Sequence, residues 1–182
     1  MLVEVDWAEA IARKYPEHVV FVISCDSSGR PNIMPAGWCM IASGKPPMLA
    51  TAISQANYTH ELIKETGEFV IAFPNEEMGE LIRQTGSCSG RDIDKFAKFK
   101  IETVKSKHVR PPLLQDAVAC FECIVRGELT TGDHTIFAGE VLASYISDRY
   151  KHRLYNFGDR KFRIIPTEQN VQTTHLRAKF GF

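Results

Sequence analysis

The chain has 182 residues, of which 44% are hydrophobic, and its 22 basic and 22 acidic side chains give no formal net charge. This length predicts one domain, residues 1–182, with a full hydrophobic core. The balanced charge argues against nucleic-acid binding, and the longest apolar run, Val19–Cys25, is too short to span a membrane.

The first third of the chain predicts a short helix followed by strands. The start, MLVEVDWAEA, is acidic and lacks the basic segment of a signal peptide, which predicts a cytoplasmic protein. A helix is predicted over Asp6–Tyr15, with Asp6 as its N-cap and Pro16 ending it. Strands are predicted over Val19–Cys25, Asn32–Ala36 and Met48–Ile53, the last after a turn at Gly44–Pro47.

A polar loop after the third strand is the first candidate binding site. It leads into a helix predicted over Thr59–Thr66, which Gly67 ends. The first turn of a helix offers free N–H groups and about half a positive charge, so a strand, loop and helix in this order form an anion site. Ser54, Asn57 and Thr59 are candidates to hold a phosphate there; the alternative is that Asn57 or Thr59 only caps the helix.

The rest of the chain alternates short helices with strands. The link Thr130–His134 has the composition of a hairpin turn, and the tail THLRAKFGF shows no clear periodicity. Six or seven strands, mostly in hairpins, with two or three short helices predict an antiparallel β-barrel, a mainly β fold. The predicted elements are a strand over Glu68–Phe73, a helix over Glu76–Thr85, a helical turn after Asp92, a short strand or extended segment over Ile101–His108, and strands over Ala117–Leu129, Thr135–Ile146 and Arg163–Ile165.

Five scattered cysteines, an odd number, argue against a disulfide framework. Cys120 and Cys123 have the spacing of a redox or zinc pair, but they lie in an alternating segment that predicts a strand. Residues three apart on a strand face opposite sides of a sheet, so we expect two buried thiols. The histidines lack metal-ligand spacing, and no metal site is predicted.

Two further loops are ordinary when each is considered alone. Gly132-Asp133-His134 is a hairpin turn, and Ser89-Gly90-Arg91 precedes a helix. Four segments follow one another in the order NIMPAGWCMIASGKPPMLATAIS, YTHELIKETGEFVIAFP, SGRDIDKF and GDHTIFAGEV. Together, and in this order, they resemble the flavin reductase-like, FMN-binding split-barrel family. This family includes flavoredoxins and small flavin reductase components. The resemblance implies a Greek-key split barrel, a homodimer, and FMN bound near the dimer interface.

The resemblance also assigns roles to individual positions. His134 would lie near the flavin ring, where a nicotinamide stacks. Many relatives carry arginine two residues before the threonine, where this chain has Asn57, so one expected cation is missing and Arg91 or Lys95 would compensate. The implied contacts are Ala36, Gly37, Trp38 and Cys39 with the ring, Thr51, Ala52, Ile53, Ser54 and Thr59 with the phosphate, and Ser87, Ser89, Gly90, Arg91 and Lys95 in a loop that closes over the flavin.

The function implied is a flavin reductase that binds FMN and uses NADH or NADPH as reductant. Hydride transfer to a flavin requires neither a nucleophile nor a metal, which agrees with the motifs present. Two alternatives stay open: a flavoredoxin-like electron carrier that lacks its own nicotinamide site and serves a redox partner protein, and a split barrel that binds a ligand without redox chemistry.

Overall fold

A seven-stranded antiparallel sheet forms the centre of the computed structural model, which describes residues 1–159 and 161–165. The unassigned tail THLRAKFGF lies outside the described residues. The helices are α1 (Trp7–Ile11), α2 (Tyr58–Thr66), α3 (Gly79–Gly86) and α4 (Lys95–Phe99). The strands are β1 (Glu17–His18), β2 (Val20–Cys25), β3 (Pro31–Ala36), β4 (Cys39–Gly44), β5 (Pro47–Ser54), β6 (Glu68–Phe73), β7 (Thr103–Val104), β8 (Leu113–Leu114), β9 (Ala119–Thr131), β10 (His134–Ile146), β11 (Leu154–Asn156) and β12 (Phe162–Ile164).

The central sheet has the strand order β3-β2-β6-β9-β10-β5-β4, and both of its faces carry apolar clusters. On β2, Phe21 and Ile23 belong to one cluster while Val20 and Val22 belong to the other, because successive residues of a strand face opposite sides. The second cluster also contains Cys39 of β4, at the opposite end of the strand order. The sheet therefore curves around this cluster, as the predicted β-barrel requires.

The structure confirms most of the predicted elements. The predicted strand over Glu68–Phe73 has the bounds of β6, and the strands predicted on either side of the Thr130–His134 link are β9 and β10. Gly67 ends α2 in the left-handed conformation, with φ of 69°. Asp6 caps α1, accepting a hydrogen bond of 2.8 Å from the Glu9 N–H. None of the described helices is long and apolar enough to cross a membrane.

Several local predictions were wrong. The helix predicted from Glu76 begins at Gly79, because Asn75 Oδ1 accepts from the Glu77 N–H and holds the preceding residues in a turn. Asp94, not Asp92, caps α4, accepting from the Ala97 N–H at 3.0 Å. The segment Ile101–His108, in contrast, contains a short strand as predicted, the two residues of β7. The short strand β1 and the edge strand β4 were missed; on β4, exposed Met40 and Ile41 hide the alternating pattern.

The predicted orientation of the Cys120–Cys123 pair is confirmed. Both residues lie on β9, Cys120 is 4% exposed and Cys123 is fully buried. Cys120 belongs to the first apolar cluster and Cys123 to the second, so their sulfurs lie on opposite faces of the sheet. The thiols are free and act as small buried apolar groups.

The buried carboxylate of Glu122, on the sheet strand β9, binds the backbone of the segment between β7 and β8. Glu122 is fully buried and accepts hydrogen bonds from the N–H groups of Lys107, His108 and Val109 at 2.6–3.1 Å. The Tyr145 hydroxyl donates a fourth bond of 2.5 Å. Burial alone would raise the pKa of Glu122, but these four donors outweigh it and hold the pKa below the ordinary value.

Candidate functional site

The N-terminus of α2 opens onto a cleft of about 470 Å³, which we name the α2 cleft. Its walls come from β3, from the start of α2, and from the connection between α3 and α4. The cleft brings together seven residues that the sequence had singled out: Asn57, Thr59, Ser87, Ser89, Gly90, Arg91 and Lys95. Asn32, Met34, Pro35, Ala56, Tyr58, Thr85, Gly86 and Cys88 complete the lining.

The start of α2 has no capping side chain. Asn57 occupies the N-cap position, yet its side chain makes no capping hydrogen bond. Thr59 is 1% exposed, and its Oγ1 accepts a hydrogen bond of 2.8 Å from Asn32 Nδ2. The proposal that either side chain serves only to cap the helix is therefore wrong. The helix N-terminus keeps its partial positive charge for a ligand in the cleft.

Asn32 is a cleft residue that sequence reasoning missed. It is 3% exposed, and its Oδ1 is buried without a hydrogen-bond partner among the described residues. A Cβ on Gly90 would lie 2.1 Å from this oxygen, so only glycine permits the approach. A half-turn of the Asn32 amide presents Nδ2 to the cleft as a donor, and Oδ1 then accepts from the Thr59 hydroxyl. Asparagine is depleted in strands, and its place in β3 was the available signal.

Lys95 places a buried positive charge in the wall of the cleft. The side chain is 4% exposed, and Nζ donates to the carbonyl oxygens of Ile33 at 2.9 Å and Thr85 at 2.7 Å. No ion pair involves Lys95 in the described part of the chain. Burial lowers the pKa of Lys95. An ammonium group carries three N–H donors, so one is left for a ligand, and a buried cation without a carboxylate favours an anion.

Arg91 lies at the exposed rim of the same cleft. One of its terminal nitrogens lies 2.5 Å from Glu61 Oε1, and the other donates to the Ala56 carbonyl at 3.2 Å. The guanidinium lies 5.3 Å from the centre of the Tyr58 ring. Glu61 neutralises part of the Arg91 charge, so Lys95 is the stronger candidate to replace the cation missing at Asn57.

A second, apolar cavity of about 230 Å³ lies beside Trp38, and we name it the Trp38 cavity. The Trp38 ring is 51% exposed and packs against His134, with 4.7 Å between ring centroids and the ring planes tilted by 40°. His134 Nδ1 lies 2.7 Å from Asp133 Oδ1. This hydrogen bond is the main cause that lowers the pKa of Asp133. The cavity is lined by Gly37, Trp38, Cys39, Met40, Ala50, Ala52 and Ile136.

Two charged residues of the N-terminal region lie beside Gly37 and Trp38 and were missed by sequence reasoning. Lys14 forms an ion pair with Glu17, and its Nζ lies 5.7 Å from the centre of the Trp38 ring. A Cβ on Gly37 would lie 2.8 Å from Glu17 Oε1. Glycine at this position therefore lets the backbone that leads into Trp38 lie against the Glu17 carboxylate.

A third cavity, also of about 230 Å³, lies along β3 and has wall residues in common with the first two. It shares Pro35, Gly86 and Ser87 with the α2 cleft, and Gly37 with the Trp38 cavity. Ala36 lies in its wall. The cationic α2 cleft thus lies beside β3, and the apolar Trp38 cavity begins at Gly37, directly after that strand ends.

Besides His134, which packs against Trp38, three of the predicted site residues line none of these cavities. Thr51 and Ile53 are 1% exposed in β5, where Ile53 belongs to the second apolar cluster. Ser54 ends β5, and its hydroxyl accepts from the Ala56 N–H at 3.4 Å. Their positions fix the loop that leads into α2, and their side chains do not reach the α2 cleft.

Comparison with known proteins identifies relatives of this chain. The family model described as "Flavin reductase like domain" matches residues 12–166. A ferric-chelate reductase (NAD(P)H) of Archaeoglobus fulgidus is 30% identical over 124 residues, 68% of this chain and 72% of the relative. An FMN-binding protein from Thermus thermophilus, solved with p-hydroxybenzaldehyde, is 26% identical, with a TM-score of 0.82 over 92% of this chain and 98% of the other.

The predicted architecture is confirmed by a further solved structure. A protein with a split barrel domain from Shewanella frigidimarina superposes with a TM-score of 0.80, covering 90% of this chain and 91% of the other. The identity between the two chains is 13%, so this likeness concerns the fold alone. The sheet that curves around the second apolar cluster is accordingly a split barrel.

Proposed function

The chain belongs to the flavin reductase-like domain family, and from this premise we propose that it is an FMN-binding redox protein that reduces flavin with NADH or NADPH. The Thermus relative is named for FMN binding, and the Archaeoglobus relative for an NAD(P)H-dependent reductase. The observation that carries the proposal is Lys95, a buried ammonium without a carboxylate partner in the described chain, in the cleft at the start of α2.

The α2 cleft fits a phosphate monoester. Lys95 supplies a positive charge, and the first turn of α2 supplies N–H groups and the positive end of a dipole. With its amide turned so that Oδ1 accepts from the Thr59 hydroxyl, Asn32 would add a buried N–H donor from Nδ2, and Gly90 leaves room for it. Arg91 supplies a second charge at the rim, partly neutralised by Glu61. These residues would hold the FMN phosphate in place of the arginine absent at Asn57.

The Trp38 cavity fits the flat end of the same ligand. When bound there, FMN would supply the redox chemistry, that is, the capacity to accept a hydride and to pass on electrons. The chain's own part is to bind the ring through the backbone at Gly37 and Trp38 and to exclude water with apolar side chains. Asp133 fixes the His134 ring by the 2.7 Å hydrogen bond, and His134 packs against Trp38 at a tilt. We assign to His134 the positioning of a nicotinamide at this end.

The absorbance spectrum of the purified full-length protein tests flavin binding, and anaerobic rapid mixing with NADH and NADPH tests the reaction. A flavin spectrum that bleaches rapidly with either nucleotide supports a reductase. A bound flavin that bleaches only with an electron-transfer protein indicates the carrier alternative with a redox partner. A colourless protein that takes up no added FMN contradicts both and leaves the non-redox ligand-binding alternative.

We further propose that the protein is a homodimer. Three apolar side chains are exposed at the edge strand β4. Trp38, just before the strand, is 51% exposed, and Met40 and Ile41 on the strand are 60% and 70% exposed. Met40 also lines the Trp38 cavity, so a second copy that covers this edge would enclose the flat end of the ligand. We expect an interface that buries more than about 2,000 Å². Light scattering that gives the mass of one chain, 20.5 kDa, would contradict the proposal.

A further inference from the structure

The first residues of the chain are apolar but are not buried against any described part of it. Val3, Val5 and Trp7 are 77%, 44% and 76% exposed, and α1 has no buried residue. Residues 1–6 belong to no helix or strand. Neighbouring apolar side chains that are exposed together mark a surface that contacts another molecule, because a partner removes them from water. We name residues 1–5 the N-terminal arm.

The arm has the sequence pattern of a strand with one buried side. From Val3 to Trp7, apolar and acidic side chains alternate, and valine favours strands. A strand is stable only when its N–H and C=O groups pair with another strand. Asp6 accepts a hydrogen bond of 2.8 Å from the Glu9 N–H and so begins α1, which leaves the residues before it to form the strand. None of the described sheets includes the arm, so its pairing partner lies outside its own chain as described.

The edge strand β4 offers a surface that complements the arm. β4 ends the strand order of the central sheet, so no described strand pairs with its outer side. It contains no proline, and its Met40 and Ile41 are exposed. The strand at the other end of the order, β3, contains Pro31 and Pro35, which lack an N–H, and borders the α2 cleft. β4 is therefore the edge that can accept a further strand.

Length and charge also match between the arm and β4. β4 has six residues, and a strand of five or six residues covers about 17–20 Å. Glu4 lies in the arm, and Lys45 directly follows β4 at an exposed position. Neither residue forms an ion pair in the described part of the chain. An arm on β4 brings these opposite charges to the same edge of the sheet.

We propose that the N-terminal arm of one protomer adds as a further strand to β4 of a second copy and covers the Trp38 cavity there. This exchange rests on the homodimer proposed above and is independent of the bound cofactor. Lys14 Nζ lies 5.7 Å from the centre of the Trp38 ring, so the N-terminal region lies beside the edge where the two copies meet. In a two-fold dimer the exchange is reciprocal. Because Met40 lines the Trp38 cavity, the partner's arm on β4 adds apolar wall to that cavity.

Analytical ultracentrifugation of the full-length protein over a concentration series tests the exchange. Val3→Asp places a charge on the buried side of the added strand, so the dimer dissociation constant should rise at least about tenfold. Val104→Asp is the matched control, because Val104 is 48% exposed on β7, outside the central sheet, and it should leave the constant unchanged. A dimer that Val3→Asp leaves unchanged would overturn the exchange, and arm-dependent binding to phosphatidylserine vesicles would then identify a membrane as the partner of the arm.

A pair of introduced cysteines tests whether the arm reaches the second copy. Val3→Cys is combined in turn with a cysteine at position 40, 41 or 42. After mild oxidation, at least one of the three double variants should run at twice the chain mass without reductant, and Val3→Cys alone should not. No covalent dimer from any of them, or a bond within one chain, would refute the exchange. A monomeric parent protein refutes the exchange and the homodimer together. An arm-dependent dimer that binds no flavin supports the exchange, and only the proposed redox function then fails.

Discussion

Replacement of Lys95 by methionine removes the charge on which the phosphate assignment depends. Methionine has nearly the same length, so the side chain still fills the space between β3 and α3. A hydrogen bond to a charged group contributes about 1.5–3 kcal/mol, and about 1.4 kcal/mol corresponds to one decade in affinity. We therefore expect Lys95→Met to weaken FMN binding by roughly 10- to 150-fold.

Fluorescence titration with FMN and riboflavin measures the effect, because riboflavin has the ring without the phosphate. Lys98→Met is the matched control, since it removes the same charge from the exposed side of α4. We expect the control to retain parental affinity and riboflavin to bind both variants alike. Equal losses for FMN and riboflavin in Lys95→Met, with a folded protein by circular dichroism, would refute the role in phosphate binding.

The same residue gives FMN binding a pH dependence. Burial lowers the pKa of Lys95 in the ligand-free protein, so the ammonium loses its proton at a lower pH than in the unfolded chain. FMN affinity should fall as pH rises through this lowered pKa, while riboflavin affinity stays level. The unfolded chain binds more protons between the lowered pKa and the ordinary lysine pKa of 10.5, so the ligand-free protein gains stability with pH in this window.

Three further predictions concern other residues. Thr59→Ala should weaken FMN by about tenfold in titration. It should also lower the free energy of unfolding by about 1–3 kcal/mol in urea, because the buried Asn32 amide loses its hydrogen-bond partner, and Thr59→Ser should restore both values. His134→Ala should slow flavin reduction in stopped-flow at unchanged FMN content; equal rates would leave His134 as a turn residue. Glu122→Gln should cost about 3 kcal/mol in urea unfolding at neutral pH. Because the pKa of Glu122 is lowered from 4.5, this difference should shrink as pH falls below that value; a difference unchanged in acid would contradict it.

Local chemistry explains which parts of the fold and site the sequence predicted. The strand Glu68–Phe73 and the glycine after α2 follow from residue pattern and turn chemistry, which act over a few positions. The edge strand β4 was missed because Met40 and Ile41 face outward, against the usual alternation. The order of the four resembling segments identified the residues around the α2 cleft, but not how Lys95 is buried there.

The remaining site residues depend on contacts between distant parts of the chain. Asn32 meets Thr59 across 27 positions, and Glu122 holds backbone groups 13 to 15 positions away. The Glu17 carboxylate lies against Gly37, a contact that only the backbone path reveals. None of these pairs has a local signal, because each arises when the barrel closes and brings separate segments into contact.

Three separate segments form the wall of the α2 cleft, so a ligand that binds there tightly should stabilise all three against local unfolding. β3, the start of α2 and the α3–α4 connection meet there, and each can open locally only by losing the ligand. A ligand at about 100 times its dissociation constant adds about 2.7 kcal/mol to the unfolding free energy. The melting temperature should therefore rise with ligand concentration. Thermal shift can then rank phosphate esters by affinity without a redox assay, and hydrogen exchange at these three segments should slow together.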